Sequence, residues 1–155
     1  MDEKIYKFRI IGKPKAKQSA KFRKIGNFVQ KYTPKEIVDY ANWVKHSFYK
    51  EYPNHLPSEL IDYQLEMRID VFFTIPKSFS KTKAALALTR QIRPTVKPDW
   101  DNISKNICDA LNGIAYPDDK AIVSGSVNKY YSDMDYVNVE IRGTKQWVKK
   151  KKSSI

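Results

Sequence analysis

Cysteine and histidine are scarce in this sequence, and their scarcity excludes several kinds of site. Cys108 is the only cysteine among 155 residues, so the chain cannot form an internal disulfide or a zinc site with Cys/His spacing. His46 and His55 are the only histidines. The chain therefore offers few residues from which a Cys-His or Ser-His-Asp nucleophilic centre could be built.

Long apolar runs are also missing. No stretch reaches the roughly 20 apolar residues that a membrane-spanning helix needs, and no strongly amphipathic basic helix indicates binding to a membrane surface. The charged start of the chain, Met1 to Tyr6, lacks the apolar core of a signal peptide. We therefore expect a protein of the reducing cytoplasm that has no membrane partner.

Acidic residues are outnumbered, since 17 Asp and Glu face 29 Lys and Arg and the net charge is +12. Self-repulsion of that size opposes folding slightly and usually reflects an acidic partner. Nucleic acid is the leading candidate, because Lys and Arg that neutralise phosphates release condensed counterions. The apolar content of 41% is that of an ordinary globular protein. We expect one domain over residues 1–148 and a basic, disordered tail over 149–155.

Hydrophobic periodicity predicts a single α/β (α+β) domain in which helices pack on a mixed sheet. Thr33 and Pro34 have the arrangement of a helix start, with Thr33 as the cap and Pro34 at the first helical position. That helix should end near Tyr49, and another should begin near Trp100 and end at Gly113. The pattern also predicts a short helix over 84–89 and strands over 4–11, 60–75, 121–131 and 134–142.

The segment 13–31 is rich in Lys and Arg and contains few acids. Because Phe22 and Phe28 lie among the basic residues, we predict a mobile loop that grips a nucleic-acid backbone. A merely solvated loop is the alternative. Basic residues further along the chain complete the predicted phosphate-binding set. Its members are Lys13, Lys15, Lys17, Lys21, Arg23, Lys24, Lys81, Lys83, Arg93 and Lys97.

Acids are concentrated around the helix that begins near Trp100. Helical geometry places Asp101 and Lys105 one turn apart, and Asp99 precedes the helix, where a carboxylate can cap free N–H groups. We interpret Cys108 as a structural residue and Asp109 as a surface or supporting acid that is not a metal ligand. The opposite stripe, which should pack on the sheet, contains Trp100, Ile103, Ile107, Ala110, Leu111 and Ile114.

A second acidic stretch, Asp118-Asp119, lies in a predicted turn before a strand. If the chain folds back after the helix, carboxylates from both stretches converge, and a cation would relieve their repulsion. Magnesium suits such all-oxygen ligands and can activate a phosphodiester for attack by water. Taken singly, each feature has an ordinary explanation: a helix cap for Asp99, a surface ion pair for Asp101 and Lys105, and a solvated turn for Asp118-Asp119.

A combined motif is more specific than any of these parts. It consists of Lys-Pro-Asp-Trp-Asp-Asn-Ile-Ser-Lys at 97–105, Asp-Ala-Leu-Asn-Gly at 109–113 and Asp-Asp at 118–119. The motif resembles the RusA family of Holliday junction resolvases, and Lys-Pro-Lys-Ala-Lys-Gln at 13–18 and Tyr-Thr-Pro-Lys at 32–35 resemble its phage-type members. The resemblance implies a small α/β homodimer, of phage or prophage type, that makes paired, magnesium-dependent cuts in four-way DNA junctions.

The resemblance also implies roles for individual residues. It assigns the metal-holding acids to Asp99, Asp101 and Asp119, with Asp118 as a neighbouring ligand. The motif lysine falls on Lys105, which would stabilise the transition state, and we expect Mn²⁺ to substitute for Mg²⁺. The sequence departs from the family pattern at 19–20, where Ser-Ala replaces more basic or proline-containing residues. That departure concerns DNA contacts of the basic segment rather than the metal site.

Two alternative functions remain open on the sequence. A non-catalytic DNA- or RNA-binding module would share the basic segments, but carboxylates near phosphates would oppose its binding. A structural scaffold that uses Asp118-Asp119 as a docking loop would show no metal-dependent turnover. The nuclease hypothesis is distinguished from both by the prediction of metal-dependent cleavage of branched DNA.

Overall fold

The structure, a computed structural model, describes residues 2–15, 21–32 and 35–147. In these ranges it contains two β-sheets and α-helices that pack on the larger sheet. The strands are β1 (Glu3–Ile11), β2 (Lys21–Ile25), β3 (Phe28–Tyr32), β4 (Tyr63–Thr74), β5 (Ile122–Ser132) and β6 (Tyr136–Lys145). The helices are α1 (Lys35–Glu51), α2 (Lys81–Leu88) and α3 (Trp100–Leu111). The predicted α/β fold is confirmed.

The larger sheet has the strand order β1-β6-β4-β5. β4 runs parallel to β5, whereas β6 is antiparallel to both β1 and β4, so the sheet is mixed, as predicted. β5 forms one edge, and the helix α3 lies between β4 and β5 in the chain. This parallel crossover brings the two acidic stretches, one before and one after α3, to the β5 side of the molecule.

One face of the sheet carries the core. Along β4, alternate side chains from Tyr63 to Phe73 are buried, because successive residues of a strand point to opposite faces. They pack against apolar side chains of α1 and α3, which include Val44, Phe48, Ile103, Ile107 and Leu111. The other face of the sheet carries polar, charged and aromatic side chains that are exposed or half-buried.

The basic segment differs from the predicted mobile loop. Lys21–Ile25 and Phe28–Tyr32 pair as an antiparallel hairpin, and Gly26 in the connecting turn has φ +59°. A two-residue Gly-Asn connection is a known hairpin signal. The many lysines around it favoured the interpretation as a loop instead. Lys17 lies outside the described residues.

The remaining boundaries agree with the predictions to within a few residues. The helix α1 ends at Glu51 rather than near Tyr49, and α2 begins earlier than predicted because Ser80 caps it by accepting a hydrogen bond from the Lys83 amide, at 3.1 Å. The predicted cap at Thr33-Pro34 and the tail 149–155 lie outside the described residues. None of the described helices is long and apolar enough to cross a membrane.

Candidate active site

The first acidic stretch lies at the N-terminus of α3. Asp99 occupies the N-cap position with an extended backbone, as expected, but its side chain accepts no capping hydrogen bond, so the alternative explanation of its carboxylate as a helix cap is not supported. Asp99, Asp101 and Lys105 are all exposed. None of them forms a salt bridge with another residue in the described part of the chain. Both carboxylates and the ammonium group are therefore available to a ligand.

Lys129 of β5 holds the segment that leads into this stretch. Its ammonium group donates hydrogen bonds to the carbonyl oxygens of Pro98, at 3.0 Å, and Val96. Burial lowers the pKa of Lys129, and the nearby Asp99 carboxylate partly offsets that shift. The sequence contains no local signal for this contact, because more than 30 residues separate the partners.

Trp100 is the clearest error among the core predictions. Its side chain is 57% exposed, because the buried stripe of α3 begins at Ile103 and continues through Ile107 and Leu111. Trp100 instead lines a groove of about 300 Å³ between α3 and β5, together with Cys108. The helical periodicity predicts that Trp100 belongs to the buried stripe, but at the first position of the helix its side chain lies over this groove and stays open to solvent.

Asn106 is a buried polar residue of α3 that the sequence analysis did not single out. Its side-chain amide donates a hydrogen bond of 2.7 Å to the carbonyl oxygen of Lys15. This bond attaches the start of the basic segment to α3, and Lys13 and Lys15 are exposed beside it. A buried asparagine inside an apolar stripe was the available signal, since such a group needs a partner.

The second acidic stretch is reached through a fixed turn. Gly113 has φ +73°, which an L side chain rarely adopts. Buried His55 lies with Nε2 2.7 Å from the carbonyl oxygen of Ala115 and with Nδ1 2.7 Å from the Glu59 carboxylate. The hydroxyl group of Tyr116 donates to the carbonyl oxygen of Cys108, at 2.8 Å. These contacts fold the chain back against α3.

Asp118 and Asp119 differ in their electrostatics. The Asp118 side chain accepts a hydrogen bond of 2.9 Å from the backbone amide of Lys120, which lowers its pKa. Burial and then the neighbouring Asp118 raise the pKa of Asp119, and Asp109 adds to that rise. Asp119 is thus close enough to Asp109 to interact with it. On α3, Asp109 lies about 12 Å along the axis from Asp101.

The predicted acids belong to two stretches of the chain, one at each end of α3. Asp99 and Asp101 lie at the start of α3, whereas Asp119 interacts electrostatically with Asp109 in the second half of that helix. Among the described residues, no group of three or more His, Cys, Asp or Glu side chains is placed to hold a metal ion. The donor type fits a hard divalent cation, because the candidates are carboxylates.

The predicted phosphate-binding residues are distributed over several elements. Lys81 and Lys83 are exposed on α2, and the Lys83 ammonium group lies 4.2 Å from the centroid of the Phe79 ring. The Arg93 guanidinium lies 4.5 Å from the centroid of Tyr130. Lys24 and Lys97 are exposed. The positions predicted on the hairpin, Lys21 and Arg23, belong to β2.

Comparison with known proteins tests the resemblance to a nuclease family independently of the site geometry. Residues 12–142 match the protein family described as endodeoxyribonuclease RusA. The chain is also similar to YqaN, an uncharacterized protein of Bacillus subtilis (strain 168), at 38% identity over 105 residues. That alignment covers 63% of this chain and 74% of YqaN.

Proposed function

The chain belongs to the RusA family of endodeoxyribonucleases, and on that premise we propose that it is a structure-selective nuclease for branched DNA. The family implies Holliday junction resolvase activity. The proposed reaction is magnesium-dependent hydrolysis of a phosphodiester in four-way junctions and other branched DNA, which leaves a 5′ phosphate. The observation that carries the proposal is that Asp99, Asp101 and Lys105 of α3 are exposed and form no salt bridge with another described residue, in a chain of net charge +12.

Asp99 and Asp101 are the residues we propose as the first metal ligands. Members of the family generally need a divalent metal. The exposed oxygens of these residues suit magnesium, which takes few protein carboxylates and keeps several waters. The chemistry that such a cation supplies when bound is polarisation of the phosphoryl group and activation of the attacking water. Asp119 and Asp118 remain proposed ligands, and they would reach the cation from the second acidic stretch.

Lys105 is the residue we propose for stabilising the transition state. It lies one turn after Asp101, so the carboxylate and the ammonium group face the same side of α3. A phosphate oxygen bound near Asp101 would gain negative charge during hydrolysis, and the positive charge of the nearby ammonium group would stabilise it. Its exposure leaves the group free to meet the substrate.

A homodimer is the proposed assembly. Two active sites related by a dyad could cut two strands of a junction symmetrically. The basic residues, among them Lys13, Lys15, Lys97 and Arg93, would hold backbone phosphates and position the branch point. Base-edge contacts should be few, because the shape of the DNA rather than its sequence is recognised. We place this activity in the cytoplasm.

The proposal is tested by cleavage of a labelled synthetic four-way junction in the presence of magnesium. Matched controls are a linear duplex of the same sequence, a reaction with chelator, and a reaction with manganese. We expect paired cuts in the junction, none in the duplex, none with chelator, and retained cutting with manganese. A protein that binds the junction but never cuts it with either metal would instead be the non-catalytic binding module.

A further inference from the structure

An aromatic row crosses the face of the large sheet that points away from α1 and α3. Tyr136 of β6, Phe72 of β4 and Tyr130 of β5 occupy paired positions on adjacent strands. The centroids of Phe72 and Tyr136 are 4.4 Å apart with rings nearly parallel, at 15°, and those of Phe72 and Tyr130 are 5.4 Å apart. All three rings are half-buried. The row ends at the β5 edge of the sheet.

Guanidinium groups lie at both ends of this row. Arg9 lies over Tyr136, with its Cζ 4.3 Å from the ring centroid. At the β5 edge, Arg90 and Arg93 both lie over Tyr130, at 4.3 and 4.5 Å. The Nε of Arg93 also donates a hydrogen bond of 2.9 Å to the carbonyl oxygen of Lys129. Two cations thus share one ring.

The charges of Arg90 and Arg93 lack an acidic partner among the described residues. By contrast, Arg68 on the same face pairs with Asp70, with Nε 3.0 Å from the carboxylate. Both guanidinium groups lie within 4.5 Å of the same ring centroid, and a bound anion would offset the repulsion between their charges. A guanidinium that stacks through its face keeps its in-plane N–H donors available, and these donors bind phosphate in a bidentate manner.

The backbone of Arg90 gives a second, independent observation. Arg90 has φ +67° and follows the C-terminus of α2. Its amide donates to the carbonyl oxygen of Ala87, and the amide of Gln91 donates to that of Leu86, at 2.9 Å. This is the helix-ending position that glycine favours, because a left-handed backbone strains an L side chain. An arginine in this strained backbone conformation indicates that its side chain has a function.

We propose that Arg90 and Arg93, held on Tyr130, form a phosphate clamp that binds the sugar-phosphate backbone of one DNA arm. The proposal rests on the proposed function, because it supplies a second contact surface for branched DNA. Lys129 links the clamp to the candidate active site, since its carbonyl accepts from Arg93 and its ammonium group donates to the carbonyl of Pro98. One arm can therefore cross the β5 edge while another strand lies at Asp99.

The sharpest test is Arg90→Gly, because it should weaken DNA binding without lowering the stability of the fold. Glycine relieves the left-handed strain, so the melting temperature should not fall. Binding of a fluorescein-labelled four-way junction in EDTA, measured by anisotropy, should weaken about tenfold near 0.1 M salt as one phosphate contact is lost. The slope of log Kd against log salt should fall by about 1 for Arg90→Gly and by about 2 for Arg90→Gly with Arg93→Gln.

Two matched variants separate the clamp from a general effect of charge or packing. Arg68→Gln removes a paired arginine from the same face and should leave junction binding within about twofold of the parent protein. Tyr130→Phe keeps the ring and should bind normally, whereas Tyr130→Leu removes the stacking surface and should weaken binding. An Arg90→Gly protein with parental affinity and salt slope would overturn the clamp, as would equal losses in Arg90→Gly and Arg68→Gln.

The binding assay in EDTA is independent of cleavage, so the two proposals can fail separately. If the parent protein never cuts a junction but Arg90→Gly weakens binding, the nuclease proposal fails and the clamp stands. If the parent protein cuts and Arg90→Gly binds as tightly as the parent, the clamp fails and the nuclease proposal stands.

Discussion

The ammonium group of Lys129 lies 3.0 Å from the carbonyl oxygen of Pro98, the residue directly before Asp99. Together with its bond to Val96, this contact ties the approach to α3 onto the edge strand β5. The position of the Asp99 carboxylate thus depends on a side chain from a different element. An active site assembled in this way should be sensitive to changes that leave every acidic residue intact.

Lys129→Met tests that dependence. We expect the free energy of unfolding to fall by about 1 to 2 kcal/mol, because two carbonyl groups lose a charged donor. Cleavage of the junction should slow by at least about tenfold, because a displaced ligand is costly in catalysis. Lys129→Arg should restore part of the rate, and Lys77→Met, at an exposed loop position, serves as the control. A folded Lys129→Met protein that cuts at the parental rate contradicts this role.

Asp101→Asn separates catalysis from binding. The substitution removes a proposed metal ligand, so we expect the cleavage rate to drop by at least about 100-fold. Junction binding should be retained or tightened, because a negative charge near the phosphates is lost. Parallel assays of cleavage, anisotropy and melting temperature check the prediction. Asp133→Asn, which alters an exposed acid of the β5–β6 connection, should behave as the parent protein does.

His55→Ala should destabilise the protein without touching a proposed ligand. The ring packs edge-on against Tyr6 and Phe48, with centroids 4.8 and 5.3 Å away. Its loss leaves a cavity and an unpaired carbonyl at Ala115, and we expect the free energy of unfolding to fall by about 3 kcal/mol in urea denaturation. His46→Ala removes an exposed histidine and should change it by less than about 0.5 kcal/mol. Equal effects of the two substitutions would refute the assigned role.

The thiol group of Cys108 should react slowly at neutral pH. Burial raises its pKa, and the hydrogen bonds to Ser104 and Tyr116 only partly oppose that rise. A raised pKa means less thiolate near pH 7.5, so labelling by an aromatic disulfide reagent should be slower in the folded protein than in urea. The rate should increase as the pH rises. Folded protein that is labelled as fast as unfolded protein would show that the thiol is open to solvent.

Part of this architecture could be predicted because it depends on local periodicity. The strand β4 has alternating apolar residues, and the pattern predicted both its existence and its buried face. Within α3, the helical repeat alone places Asp101 and Lys105 one turn apart. Trp100 shows the limit of such reasoning, since periodicity predicts a face but not how far the neighbouring sheet extends beneath it.

The sequence by itself therefore determined the fold class, the acidic pair with its lysine at the start of α3, and the positive charge of the surface. Only the tertiary structure decided that Asp119 lies near Asp109, that Lys129 holds Pro98, and that Arg90 and Arg93 share the ring of Tyr130. The physical reason is distance along the chain. Positions within one element follow from its repeat, whereas contacts between elements depend on strand order and register, which local sequence does not encode.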